Sequence, residues 1–396
     1  MFAALYASEG APIGFLWWAL PTILRSRGVP LDEITALTSV LVLPWAAKFL
    51  WAPLVDVLRS RWSLKHWILS AQLLMGLTLI PLLLLDVETQ FHLLAVFLIL
   101  HAIAAATQDV SIDALCIQVA SADERGILNG WMQAGMLTSR SLLGGGALIA
   151  LETLGWTPVF VLLVAVIWSS SGLLLASRIP ISSLQSATRN PRALSEFLSL
   201  FRAAFSRPVT WIALFFAGIS GAAFEAVGAV AGPFLVDRGF SSSDVGWFFL
   251  VPAVACMIAG SLVGGSIADR TPRVMSVRLF LLVLVGCVVL LAGLDYAESS
   301  GGFLLVGLAM VYLSIGLFTA STYALFMDHT DPRLGATQFS AYMGATNLCE
   351  SWSSFAIGRL AGGFGYWVGF LVMAGVSFFA ISLLSAIRPG RSNTTT

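Results

Sequence analysis

The chain has 396 residues, 58% of them hydrophobic and 11% charged, with 21 Lys and Arg balanced by 21 Asp and Glu and a mean hydropathy of +0.89. So little polar surface does not cover a water-soluble globule. At zero net charge, the basic residues read as topology determinants rather than as a nucleic-acid face, which leaves a polytopic membrane protein.

An apolar run of about 20 residues spans about 30 Å of hydrocarbon, and twelve such runs follow one another along the chain. Span one (2–24) carries Glu9, span two (34–56) carries Lys48, and span three (65–86) has no interior charge. Span four (92–121) carries Asp109 and Asp113, four residues apart and so on one helical face. Span five (127–150) carries Arg140, and the interior of span six (157–178) is again uncharged. Residues 179–208 then form the longest polar stretch, with Arg189, Arg192, Arg202, Arg207 and an amphipathic piece over 194–205. They read as a cytoplasmic linker with a short surface helix. Span seven (209–236) carries Glu225, and spans eight (244–268), nine (276–295) and ten (302–328) follow. Span eleven (335–360) carries Glu350 and Arg359, and span twelve (365–387) completes the set.

Cytoplasmic loops hold the excess of Lys and Arg. Arg59, Arg61, Lys65, Arg125, Arg178, Arg189, Arg192, Arg202, Arg207, Arg270, Arg273, Arg278, Arg333, Arg388 and Arg391 fall on one side, while Arg25, Arg27 and Arg238 fall on the other. Both termini are therefore expected in the cytoplasm. No basic leader with a short apolar stretch and small-residue cleavage site opens the chain, so no cleaved signal peptide is expected. Cys116, Cys256, Cys287 and Cys349 all fall inside spans and read as isolated thiols rather than a disulfide framework.

The two halves repeat. Asp56, followed by Arg59 and Arg61, corresponds to Asp269, followed by Arg270 and Arg273; Ala122–Arg125 matches Thr330–Arg333, and Arg27-Gly28 matches Arg238-Gly239. The expected organisation is an all-α membrane protein of twelve transmembrane helices in two pseudo-symmetric six-helix bundles, 1–178 and 209–396, joined by the linker 179–208. This resembles the major facilitator superfamily, in which two halves rock around a central site. The acidic and basic residues of WAPLVDVLRSR (51–61) and GGSIADRTPR (264–273) resemble that superfamily's loop signature, the first copy without its leading Gly.

A narrower resemblance runs through the first half. Gly10-Ala11-Pro12-Ile13-Gly14, Ala19-Leu20-Pro21, Arg27-Gly28-Val29, Leu43-Pro44, Lys48 through Asp56, Gln108-Asp109, Asp113-Ala114 and Glu124-Arg125-Gly126 are similar to the muropeptide permease and acetyl-coenzyme A transporter branch. That branch includes siderophore importers of the rhizobactin and pyochelin type. The resemblance implies proton-driven uptake of a bulky polar solute through the bacterial inner membrane. A siderophore or related metal chelate is the first substrate class expected; a muropeptide, a coenzyme A thioester or drug efflux on the same fold are the alternatives. Proton antiporters often carry a Gly-Pro pattern in helix five, and Trp131 to Ala150 contains glycines but no proline.

The intramembrane charges carry the site expectation. A charge at membrane depth costs about 2.5–3.5 kcal/mol on insertion scales and therefore faces a polar path or a partner. Lys48 lies roughly 12 Å from the cytoplasmic boundary at 1.5 Å of rise per residue, in the same half as Glu9, Asp109 and Asp113. Those four are expected to cluster, either as a proton-coupling site or as a structural gate. Arg140, Glu225 and Glu350 come out about 20–25 Å deep and form a second layer facing the cavity. Glu225 is the leading candidate for a protonation switch, with Glu350 able to play the same part. The planar guanidinium of Arg140 suits an anion anchor and equally a pair with Glu225 or Glu350. Asp56, Arg59, Asp269, Arg270 and Arg273 are expected as conformational latches.

Among the aromatics Tyr6, Trp17, Trp18, Trp45, Trp131, Tyr323, Tyr342 and Trp352, the cavity wall is expected to use Trp131, Tyr323, Tyr342 and Trp352. Gly144-Gly145-Gly146, Gly264-Gly265 and Gly362-Gly363 permit close helix approach and are not phosphate loops, since no P-loop Lys follows. A membrane-embedded enzyme would need a catalytic constellation, and His66, His92, His101 and His329 are scattered without metal-ligand spacing. No catalytic residue, metal or cofactor is expected. The expected partners are a small solute, the proton and the lipid bilayer, with no nucleic acid, and the protein is expected to act as a monomer.

Overall fold

The computed structural model describes residues 1–58, 61–83, 90–119, 125–177, 202, 205–330 and 335–387. Arg59 and nearly all of the expected linker, including most of its amphipathic piece, lie outside the described residues, as do the side chains of Asp56 and Arg125.

The described residues are helical, with no strand among them, and run in twelve passes. Span one is Phe2–Gly14, a π-helical turn Phe15–Ala19, and Leu20–Ser26. Span two is Leu31–Ala47, a 3-10 turn Lys48–Leu50, and Ala52–Leu58. Spans three to six are Leu64–Leu79 with the 3-10 turn Ile80–Leu83, Phe91–Val119, Arg125–Leu154 and Trp156–Ala176. Span seven is Pro208–Ser220 and Ala222–Asp237; span eight is Ser242–Phe248, a π-helical turn Phe249–Ala253, and Val254–Arg270. Spans nine to twelve are Arg273–Tyr296, Gly301–Asp328, Gly335–Phe364 and Tyr366–Leu384.

Prolines account for most of the interruptions. Pro53 has no N–H to give the carbonyl of Phe49, and the helix tightens at Lys48 and restarts at Ala52. Pro21 stands in the same relation to Trp17, inside the first π-helical turn, and Pro252 lies within the second. Span seven breaks at Gly221, where the missing side chain weakens the helix.

Ten of the passes are long and apolar enough to cross a membrane. The two that fall short are spans one and eleven, and their hydropathy is lowered by Ser8 and Glu9 in one and by Asn347, Glu350, Ser351, Ser353 and Ser354 in the other.

The chain forms two compact units, Met1–Arg189 with Ala229–Pro252, and Asn190–Gly228 with Ala253–Thr396. In the first unit span one packs on spans five and six, span three on four and six, and span two on four. In the second, span seven packs on eleven and twelve, span nine on ten and twelve, and span eight on ten. Shifting each number by six maps one set onto the other, so the repeat seen in the loop signatures is also a repeat of packing.

Glycines set the closest approaches. A Cβ at Gly10 would meet the backbone of Met136, one at Gly14 the carbonyl of Arg140, and one at Gly264 the backbone of Leu317. Gly144 and Gly145 also lie against neighbouring backbone, whereas a Cβ at Gly265, Gly362 or Gly363 would meet nothing within 4 Å among the described residues. The expectation of close helix approach is therefore corrected for those three.

Candidate functional site

Within the first unit, spans one, two and four bring ionisable and polar side chains together. The 3-10 turn swings Lys48 toward span four, where its Nζ forms an ion pair with Asp109 Oδ2. One turn further along span four, Asp113 Oδ1 accepts a 2.5 Å hydrogen bond from the Tyr6 hydroxyl. Three residues beyond Tyr6, Glu9 is 2% exposed, and its Oε1 accepts from the Trp45 indole N–H at 3.1 Å. Glu9 also feels the charges of Asp109, Lys48 and Asp113. Three carboxyl groups thus share one lysine, Glu9 and Asp109 buried and Asp113 half-buried. Glu9 Oε2 is buried with no hydrogen-bond partner among the described residues.

Beside this cluster runs a neutral polar seam. Gln72 on span three donates to Ser8 Oγ at 3.1 Å and Ser170 Oγ at 2.7 Å, and accepts from Ser171. Ser8 in turn donates to Gln108 at 3.3 Å. Spans three and six carry no interior charge, yet they are tied to spans one and four by amide and hydroxyl groups that satisfy one another.

Deeper in span five, the Arg140 guanidinium sits 4.5 Å above the Trp18 ring. Trp18 lies against Gly144, which has no Cβ to displace it, and stacks on Phe249 with centroids 4.9 Å apart and planes 8° apart. At the Arg25 end of the spans, Arg25 Nε pairs with Asp237 Oδ1 at 2.7 Å, and Glu152 Oε1 accepts from Ser243 N at 2.9 Å. Gly232 also lies against Thr22 there.

In the second unit Glu225, just past the break in span seven, lines a pocket with Ser220, Phe224, Thr319, Thr322, Tyr323 and Cys349. Tyr323 feels the charges of both Glu225 and Glu350. Trp352 donates its indole N–H to the Gly218 carbonyl at 2.8 Å, beside the same break. Tyr342 is fully buried, stacked on Phe326 at 5.0 Å and hydrogen-bonded by Gln338 at 3.1 Å. Trp131, in the first unit, is 62% exposed. Arg273 bridges Asp269 at 2.8 Å and Asp328 at 3.0 Å, tying together the ends of spans eight, nine and ten, and Arg270 is exposed.

Sequence reasoning missed Tyr6 as a partner of Asp113, the Gln72 seam and the Arg25–Asp237 pair. Gln72, a lone amide in an apolar run, was the available signal for the seam.

The family model of the Major Facilitator Superfamily matches residues 2–356. An uncharacterized protein of Haemophilus influenzae is 27% identical over 91% of this chain and 87% of its own length. The anhydromuropeptide permease of Escherichia coli K12 is 24% identical over 84% of this chain and 68% of its own length. The D-xylose-proton symporter structure has the same fold, with a TM-score of 0.80 at 13% identity over 98% of this chain and 97% of that one. The chain belongs to the Major Facilitator Superfamily and is a multi-pass membrane transporter.

Proposed function

We propose that this transporter is a proton-coupled importer of the bacterial inner membrane, with both termini in the cytoplasm, that takes up a bulky, anionic sugar-peptide solute of the anhydromuropeptide class. The observation that carries the coupling is the largely buried set of three carboxyl groups around Lys48, with Glu9 Oε2 left without a partner among the described residues. Such a set binds one proton more or less as its surroundings change, because an excess of buried negative charge is costly.

The solute class draws on the named permease among the relatives and on the residues of the first half that resemble that branch. The siderophore class expected first from the sequence gains no support from the named relatives, so the muropeptide alternative takes its place. Arg140 is assigned the anion anchor, Glu225 and Glu350 with Tyr323 a second titratable group, and Asp269 with Arg273 a latch.

The test is uptake of a radiolabelled anhydromuropeptide into proteoliposomes with an imposed inward proton gradient. Accumulation that collapses with a protonophore is the expected result. Accumulation of ferric siderophores or coenzyme A thioesters in its place would reassign the solute, and export of a dye without uptake would overturn the importer reading.

A further inference from the structure

Residues 229–252 belong by sequence to the second repeat, yet they pack as part of the first unit. The seam that holds them is built from small residues and backbone: Gly232 against Thr22, Gly145 against Gly246 and Leu250, and Ser141 Oγ donating to the Leu250 carbonyl at 2.5 Å. Two polar contacts, Arg25 with Asp237 and Glu152 with Ser243, lie at its Arg25 end. In a transporter whose repeats rock against each other, this segment has to separate from spans one and five during the cycle.

Trp18 touches both the seam and the charge next to it. Its ring stacks on Phe249 of the segment and lies beneath the Arg140 guanidinium. Both rings sit in π-helical turns, Trp18 in Phe15–Ala19 and Phe249 at the start of Phe249–Ala253, and π-helical turns are frequent where a helix serves function. Spacing fixes the arrangement. Gly14 and Trp18 are one turn apart on span one, Arg140 and Gly144 one turn apart on span five, and Gly14 lies on the Arg140 backbone while Trp18 lies on Gly144. Trp18 is held against Arg140, Gly144 and Phe249 at once.

We infer that Trp18 is a positioning residue that transmits the state of Arg140 to the closure of the seam. An anion seated so that the Arg140 fork lifts off the indole face loosens the Trp18–Phe249 stack with it. By linkage, closure of the seam and anion binding at Arg140 oppose each other by the same factor.

The test is labelling of Ser243→Cys by a membrane-impermeant maleimide in the full-length protein in proteoliposomes, measured against the unsubstituted protein. Phe249→Leu and Arg140→Gln are each expected to speed labelling several-fold, with the double variant no faster than the faster single one. Trp18→Leu is expected to label fast and to abolish the effect of either change, while Trp18→Phe, which keeps a ring on Gly144, stays slow. Multiplicative single effects, or labelling of Trp18→Leu as slow as the wild type, would overturn the inference. Fast labelling of Trp18→Phe would do the same by assigning the effect to loss of packing.

A second arm rests on the proposed function: an anhydromuropeptide is expected to speed labelling of the wild type and not of Trp18→Leu. Bound solute, followed by Trp fluorescence, that leaves wild-type labelling unchanged would overturn the inference. Failure of this solute to bind, with the Arg140 and Phe249 effects still non-multiplicative, would sink the solute assignment and leave the inference standing.

Discussion

Gly14 on span one lies directly on the backbone carbonyl of Arg140 on span five. This contact sets the depth and direction of the guanidinium, because nothing larger than a hydrogen fits between the two helices there. Gly14→Ala forces the helices apart or shifts Arg140, and overpacking of this kind costs about 1–3 kcal/mol. The expected outcome is a lower Tm in detergent together with weaker binding of an anionic solute. An unchanged Tm and affinity would show that span five slides freely along span one.

Lys48 and Asp109 are mostly buried, with side-chain exposures of 19% and 8%. Removing one partner of a buried pair leaves an uncompensated charge, at a cost of about 3–5 kcal/mol. Lys48→Met is therefore expected to unfold at clearly lower temperature than the wild type. The double variant Lys48→Met with Asp109→Asn is expected to regain most of that loss while still failing to accumulate solute uphill. A double variant as unstable as the single one would mean that Lys48 acts through contacts other than Asp109.

Glu9→Gln keeps an acceptor for the Trp45 indole and removes the titratable proton. It is expected to retain solute exchange across proteoliposomes and to lose accumulation driven by a proton gradient. Glu225→Gln is the matched comparison in the second unit. Loss of uphill transport in Glu225→Gln alone, with Glu9→Gln unaffected, would move the coupling site out of the Lys48 cluster.

What could be read from the sequence tracks energetic cost. Glu9, Lys48, Asp109, Asp113, Arg140, Glu225 and Glu350 stand out because a charge in an apolar run is expensive, and the structure gathers the first four around one ion pair. Tyr6 and Ser170 do not stand out, since a single neutral polar group in a span costs little and its partner lies about 100 residues away, and the lone amide of Gln72 marks the seam without naming its partners. The Trp18–Phe249 stack leaves no sequence signal at all, because both residues read as ordinary apolar positions. The break after Lys48 was legible in principle from Pro53, but continuous hydropathy across 34–56 masks it.

Arg273 holds Asp269 and Asp328 at the shared end of spans eight, nine and ten. The two acids are 71% and 47% exposed and the arginine 29%, so water solvates whatever is left when the network is cut, and each exposed pair contributes only about 0–1 kcal/mol. Arg273→Gln is therefore expected to change Tm little. A latch acts on the rate of the conformational step rather than on the solute site, so kcat for transport is expected to fall several-fold with KM nearly constant. Charge reversal separates the two roles. Arg273→Glu with Asp269→Arg restores one pair of the network and is expected to recover part of the rate, whereas a network that only braces the helix ends would show in Tm and leave kcat untouched.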